Sequence, residues 1–241
     1  MNNNSYIRQA LGVRAFAEIS FLKDFKLTLN GAGDFSDYKE SVYENTLVGD
    51  GAPSGRAQRD FSDSKTWNLN QVLAYEKSFG VHNFAVKAIH ESYKYTYQDL
   101  YAMRQGLIAD GNFELYNFTT TNDVYSYTSE KRTESYLGNF EYNFDNKYYL
   151  SANINRSASS KFAKENRWGT FWGIGASWRI DQEKFMKQYS FINSLKLRSS
   201  YGQNGNESLL TSSGSEDYFP YQGLYDIQNN GTEAGFWLSS L

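Results

Sequence analysis

The chain carries two histidines, His82 and His90, the residue type most used for metal ligation and for proton transfer near neutral pH. They share strand parity but stand eight positions apart, whereas neighbours on one strand face come within chelating reach at a spacing of two. Two separate, non-ligating histidines are therefore expected. Cysteine is absent, which removes disulfides, thiolate metal sites and thiol nucleophiles. Gly173-x-Gly175 and Gly202-x-x-Gly205 resemble phosphate loops only in spelling, because neither opens a helix. In strands, such glycines permit bends or leave room for facing aromatic rings. Asn117-Phe118-Thr119 and Asn206-Glu207-Ser208 match a glycosylation sequon by chance in so asparagine-rich a chain. Asp50, Asp99, Asp110, Asp123, Glu216 and Asp217 are of the type that binds calcium, but as scattered loop acids their default is solvated surface. No catalytic, cofactor or metal constellation emerges, the chain does not read as an enzyme, and no substrate-binding residue is singled out.

The elements that would position any site are strands. From Tyr136 to Phe144 the even positions are aromatic or glycine and most odd ones polar, the period of a strand with one wet face. Tyr148, Leu150, Ala152 and Ile154 continue that parity after Asp145-Asn146-Lys147. Even parity on both sides of a turn demands an odd loop, so Phe144 is predicted to pair with Tyr148 across those three residues. A third run sets Trp172, Ile174, Ala176, Trp178 and Ile180 against Gly173, Gly175, Ser177 and Arg179. A fourth sets Leu195, Leu197 and Tyr201 against Lys196, Arg198 and Gly202.

The first half repeats the pattern. Ala15, Ala17, Ile19 and Phe21 alternate with Arg14, Glu18 and Ser20, and Phe25 to Phe35 alternate with Lys26 to Ser36 across a turn containing Lys23 and Asp24. Tyr38 to about Phe61 loses period and reads as a long loop. Trp67, Leu69, Leu73 and Tyr75 are followed, with a switch of parity, by Phe84, Val86 and Ala88. That switch demands an even turn, met by Phe79-Gly80 or Ser78 to Val81. About Tyr95 to Glu130 reads as a second long loop, with weak alternation near Asp123 to Ser129 of the kind a strand continued beyond a membrane would leave, and Ser157 to Arg167 as a shorter one. Everything after Asn206 reads as an irregular tail ending at Leu241. Eight strands thus alternate between short and long connectors, as in outer-membrane barrels with short turns at the inner rim and long loops outside.

Composition agrees. At 241 residues, aromatic residues make up 17% and prolines number two. The mean hydropathy is only −0.66, so the aromatics sit in a polar sequence. No run approaches the ~18 apolar residues of a membrane helix, but a barrel strand needs only ~9–11 residues with alternate ones apolar. Tyr93, Tyr95, Tyr136, Trp168, Trp172, Trp178 and Tyr201 lie near the ends of their runs, where interfacial girdles sit. A net charge of −3 with scattered lysines and arginines supplies no field for nucleic acid. Lys26, Asp34, Glu76, Lys87, Glu141, Arg179, Lys196 and Arg198 fall on the polar parity and would line a lumen. The amino terminus lacks the basic start and apolar core of a signal peptide.

The segments Arg156-Ser-Ala-Ser-Ser-Lys-Phe162, Arg167-Trp-Gly-Thr-Phe171, Gly175-Ala-Ser-Trp-Arg-Ile180, Phe185-Met186, and Leu195-Lys-Leu-Arg-Ser-Ser-Tyr-Gly-Gln-Asn-Gly-Asn206 together resemble the SusC/RagA family of TonB-linked outer-membrane transporters. Leu11-Gly12 through Glu18 to Lys26, Asn70 to Phe84, Arg132 to Gly138 and Asp145 to Tyr148 agree. Ser157-Ala158 replaces the usual Asp-Gly, and Trp172 stands where a proline commonly follows the phenylalanine; both bear on loop geometry. The resemblance implies an all-β, antiparallel, up-and-down transmembrane β-barrel segment, about eight long strands of a barrel of about 22, open and not closed on itself. Residues 1–241 would be a partial barrel domain, with the plug, the TonB-contacting segment and the other strands absent.

The function implied is outer-membrane import of large nutrients, chiefly oligosaccharides and sometimes peptides, under a SusD-like surface lipoprotein and powered by TonB-ExbB-ExbD. Two alternatives are a complete eight-stranded outer-membrane barrel with a structural or adhesive role, and a soluble carbohydrate-binding β-sandwich. Edge strands settle the first: paired first and last runs mean a small closed barrel, unpaired ones a piece of a wide wall.

Overall fold

The computed structural model describes residues 2–189, 191–210, 214, 216–218, 220–221, 225–229 and 234–238. Its strands are β1 (Asn3–Phe21), β2 (Phe25–Glu44), β3 (Arg56–Phe79), β4 (His82–Leu107), β5 (Phe118–Phe144), β6 (Tyr148–Ser159), β7 (Trp168–Arg179), β8 (Lys196–Gln203), β9 (Tyr225–Asn229) and β10 (Ala234–Leu238). The first eight form one sheet in chain order, and β9 pairs with β10 separately. β1 and β8 are the sheet's edges, unpaired with each other, so the sheet is open and the closed eight-stranded barrel is excluded. A sandwich needs a second sheet of comparable extent. Among the described residues the only other sheet is the β9–β10 hairpin, whose strands are five residues each.

Three expectations are corrected. The stretches read as long loops are mostly strand: β2 runs to Glu44 and β3 starts at Arg56, while β4 runs to Leu107 and β5 starts at Phe118. The true loops are 45–55 and 108–117. A strand that leaves the bilayer has water on both faces, so nothing selects an apolar parity and the period of two disappears although the ladder continues. Strands of 24, 26 and 27 residues far exceed the ~9–11 needed to cross. The turn before β4 is Gly80-Val81, one residue later than either expected placement; its count is even, and Phe79 stacks on His82 at 5.5 Å. The tail is not wholly irregular, since Ala234 pairs with Asn229 and Leu238 with Tyr225. The expected carboxyl end at Leu241 lies outside the described residues.

Contacts divide the chain into two units: residues 1–19, 28–71 and 91–132, and residues 20–27, 72–90 and 133–241. In the second unit, Phe144 pairs with Tyr148 across Asp145-Asn146-Lys147 as expected, with Asp145 and Asn146 both at φ 53°. These are turn formers that tolerate the left-handed region. The register puts Tyr142, Leu150 and Ala176 abreast, then Phe140, Ala152 and Ile174, then Gly138, Ile154 and Trp172. Ile174 and Trp178 face Tyr201 and Leu197. Asn143, Tyr149, Ser177 and Arg198 share the other face, with Glu141, Ser151, Gly175 and Ser200 in the next row.

The short turns of this unit are laced together: Glu76 N donates to Asp24 O at 3.0 Å, Asp145 N to Val81 O at 2.8 Å and Arg179 N to Lys147 O at 2.8 Å. They share one rim. In the first unit the 45–55 connector is tied to the end of β4, with Gly106 N donating to Gly55 O at 3.1 Å and Leu107 N to Ser54 O at 2.8 Å.

Candidate functional site

The two faces of the second unit differ in chemistry as well as in direction. On the apolar face, Leu150, Ile154, Ile174 and Leu197 remain 48%, 54%, 53% and 61% exposed, although burying such a side chain is worth about 1.5–3 kcal/mol. A contiguous face of that kind marks contact with lipid or another apolar partner. Aromatic rings bound it. Tyr148 stacks on Trp178 at 6.4 Å near the short turns, and Tyr136 on Trp168 at 6.0 Å at the other end.

The polar face is concave in two places. A hollow of about 750 Å³ is lined by Glu76, Glu141, Tyr149, Ser151, Lys196 and Arg198, among others, with the Lys196 ammonium 4.3 Å from the Tyr149 ring centre. Four of the side chains expected to line a lumen are thus brought together. Arg179 is on this face too, bonded to Asp181 at 2.6 Å. A second hollow of about 850 Å³ is lined by Ser135, Asn139, Asn155, Arg167, Phe171 and Gln203 with residues 204–207. Gly205 is required here, because a Cβ would stand 2.1 Å from the Phe171 ring. Room for a facing aromatic, not phosphate binding, accounts for that glycine.

In the first unit the polar face follows a ladder from Asn30 through Asn70 to Glu91, with bonds of 3.2 and 2.7 Å, and Arg14 forks onto Asp34 at 2.8 Å. Beyond the length a bilayer crossing needs, tyrosines accumulate. Tyr6 stacks on Tyr38 at 6.2 Å, Tyr97 meets Tyr127 at 5.8 Å, and Tyr101 stacks on Tyr125 at 5.0 Å. Tyr38 donates to Glu40 and Tyr97 to Asp99, each at 3.1 Å. Burial, then Asp99 and Glu40, raise the Asp60 carboxyl above its ordinary range. Burial, with Asp123 next, raises the Tyr101 hydroxyl, and burial followed by Asp99 and Asp60 raises that of Tyr125. The tyrosines therefore stay protonated donors beside carboxylate acceptors. Such a shelf can stack on a flat apolar face and exchange hydrogen bonds with hydroxyl or ammonium groups. Tyr95, expected in a girdle, instead lines a shallow hollow with Tyr38, Ser62 and Tyr97.

The strand ends beside this shelf have a small core, made of Tyr43, Ala57 and Phe118 with Leu107 and the loop residue Leu115 packed on it. Arg59 donates to Phe113 O at 2.8 Å, and Asn117 to Ala109 O and Asn112 O at 2.7 Å each. Asn117 is 8% exposed, so the sequon residue is occupied in holding its loop.

The other sequence candidates are dispersed. His82 bonds Tyr142 through Nδ1 at 2.7 Å, between the Phe79 and Tyr142 rings. His90 meets Glu134 and stacks on Tyr136 at 4.9 Å. Among the described residues no three acids or histidines stand close enough to hold a metal ion. Asp50 lies 3.9 Å from Arg56. Glu216 pairs with Lys161, whose side chain is fully buried and also reaches Glu207 O at 3.4 Å. No sequence signal marks that pair, 55 residues apart.

No protein-family model matches the chain. Relatives do. A TonB-dependent receptor of Formosa agariphila, P39, is 30% identical over 69% of this chain and 16% of its own length. The TonB-dependent receptor SusC of Bacteroides thetaiotaomicron is 27% identical over 67% of this chain and 15% of its own. The chain therefore spans about a sixth of the curated relatives it matches. Among solved structures, that of the RagAB peptide transporter superposes with a TM-score of 0.89 at 21% identity, over all of this chain and 27% of the other.

Proposed function

Because this chain belongs to the TonB-dependent receptors of the SusC/RagA type, proteins of the outer membrane, we propose that it forms a section of barrel wall in a transporter importing large nutrients. What carries this reading is the division of one open sheet into an exposed apolar face bounded by aromatic rings and a polar, hollowed face. The apolar face meets lipid, the polar face turns to the lumen, and the strand extensions with loops 45–55 and 108–117 stand outside the cell. Residues 1–241 are one part of a larger barrel domain. A plug outside this segment makes the TonB contact through which TonB-ExbB-ExbD supplies energy, and a SusD-like surface lipoprotein closes over the outer loops.

For substrate we propose oligosaccharides. Pyranose rings present flat C–H faces that pack on tyrosine, while their hydroxyls donate to carboxylates such as Glu40 and Asp99 and accept from tyrosine. The test is the double variant Tyr101→Ala/Tyr125→Ala in the full receptor. Loss of one stacking surface should weaken oligosaccharide binding about tenfold, equivalent to about 1.4 kcal/mol, with the folded barrel intact on gels. Unchanged glycan affinity together with lost binding of basic peptides would transfer the shelf to peptide import, the activity named for RagAB. Orientation is checked by surface proteolysis of intact cells, which should cut within 45–55 and spare 145–147.

A further inference from the structure

The connector from β7 to β8 crosses the short-turn rim from one face of the sheet to the other. Arg179 lies opposite Lys196 on the polar face and bonds Asp181 at 2.6 Å, while Asp181 N donates to Leu195 O at 3.2 Å. Two residues on, the chain has changed sides. Glu183 accepts from Tyr148 Oη at 2.5 Å and from Trp178 Nε1 at 3.0 Å, and those two rings belong to the apolar face. The next residues, Lys184–Gln188, make a short 3-10 turn. It presents Phe185, 54% exposed, and leads to Tyr189 and to Phe191, 79% exposed, whose rings meet edge to face at 6.2 Å. Lys184 and Lys187 are exposed, and the first turn of this helix holds no acidic residue.

Three large aromatic side chains within seven residues are costly in water, but phenylalanine and tyrosine rings flanked by lysines are the composition of a membrane interface. We infer that this connector is an interfacial anchor in the inner leaflet. Phe185, Tyr189 and Phe191 enter the boundary between headgroups and acyl chains, and Lys184 and Lys187 bond phospholipid phosphates. The occupant is lipid, not a soluble partner, because Glu183 ties the connector to rings that end the lipid-facing surface. This rests on the barrel-wall reading above.

The chain has no cysteine, so single sites can be spin-labelled in the full receptor once any cysteine elsewhere is replaced. Phe185→Cys and Phe191→Cys are compared with Asn146→Cys at a short turn and Ile174→Cys on the apolar face, in nanodiscs of phosphatidylethanolamine and phosphatidylglycerol. At 185 and 191, collision with a water-soluble nickel chelate should fall about fivefold below that at 146, while collision with oxygen, which partitions into lipid, rises toward that at 174. Nickel accessibility equal to that at 146 would overturn the anchor, as would shielding from both reagents, the signature of a protein partner. The double variant Lys184→Gln/Lys187→Gln should raise the nickel collision rate at 185 about twofold; no change would overturn the phosphate contacts. A water-exposed label at 174 would bring down the barrel wall itself, and the anchor with it.

Discussion

The lower strands around Leu150 and Ile174 and the loop pair around Phe118 are made of similar residues, yet only the second has a protein core. Phe118 and Ala57 are 1% and 0% exposed, clustered with Tyr43, while Ile174 and Leu150 are 53% and 48% exposed on the apolar face. A strand in lipid takes its core from the solvent, and its polar parity is left to line a lumen. A strand in water must build a core or do without one, and here the ends of β2, β3, β4 and β5 build it, with Leu115 of the 108–117 loop packed on it. The same ladder thus serves two solvents, and its side chains change meaning along its length.

That contrast can be broken most decisively at Phe118. Phe118→Ala removes a fully buried ring, with a cost of about 3–5 kcal/mol confined to the loop pair and the strand ends it joins. Hydrogen exchange should speed up across 45–55 and 108–117, with the 145–147 turn unchanged; loosening of both would mean that the two regions share one core after all. Next comes the lipid-facing wall. Ile174→Arg should cost about 2–4 kcal/mol in refolding into vesicles if the site lies near the bilayer midplane. Ser151→Arg, on the polar face, should cost far less, and equal penalties would deny that the faces see different solvents.

The smallest effects contrast two aspartates. Asp181 is held down to about 2 by Arg179, then by Gln182. Its folded pKa is below its ordinary 3.8, so it stabilises the connector fully above that value and loses the contribution as pH falls toward 2. Asp181→Asn should speed hydrogen exchange in the connector at pH 7 and have an effect that shrinks through pH 2 and vanishes below it. Asp60 is shifted the other way, by burial and by Asp99 and Glu40. Its folded form prefers the proton, so stability is greatest below 3.8 and declines as pH rises through the elevated value. Asp60→Asn should therefore slow exchange around the tyrosine shelf at pH 7, the opposite sign.

The legible parts of the sequence are those with two different faces. Parity placed Leu150, Ala152 and Ile154 on one side and predicted the Phe144–Tyr148 pair, because a turn between like parities must be odd and a slip of one residue would put every apolar side chain in the lumen. The tyrosine shelf was illegible for the complementary reason. Tyr97, Tyr101, Tyr125 and Tyr127 come from strand extensions wet on both sides, where only a weak alternation near Asp123 to Ser129 hints at strand, and their ring partners are 24 to 30 positions away.

What the sequence determined by itself was the strand period and the odd or even count of the short turns, consequences of a sheet with a lipid side and a water side; the open wall was implied only by the family resemblance. Tertiary structure alone decided the pairings across long separations. Lys161 with Glu216, Tyr43 with Phe118, and Glu183 with Trp178 and Tyr148 depend on where connectors fold back. A connector's path follows from contacts it makes after the strands have paired, and those contacts leave no periodic trace along the chain.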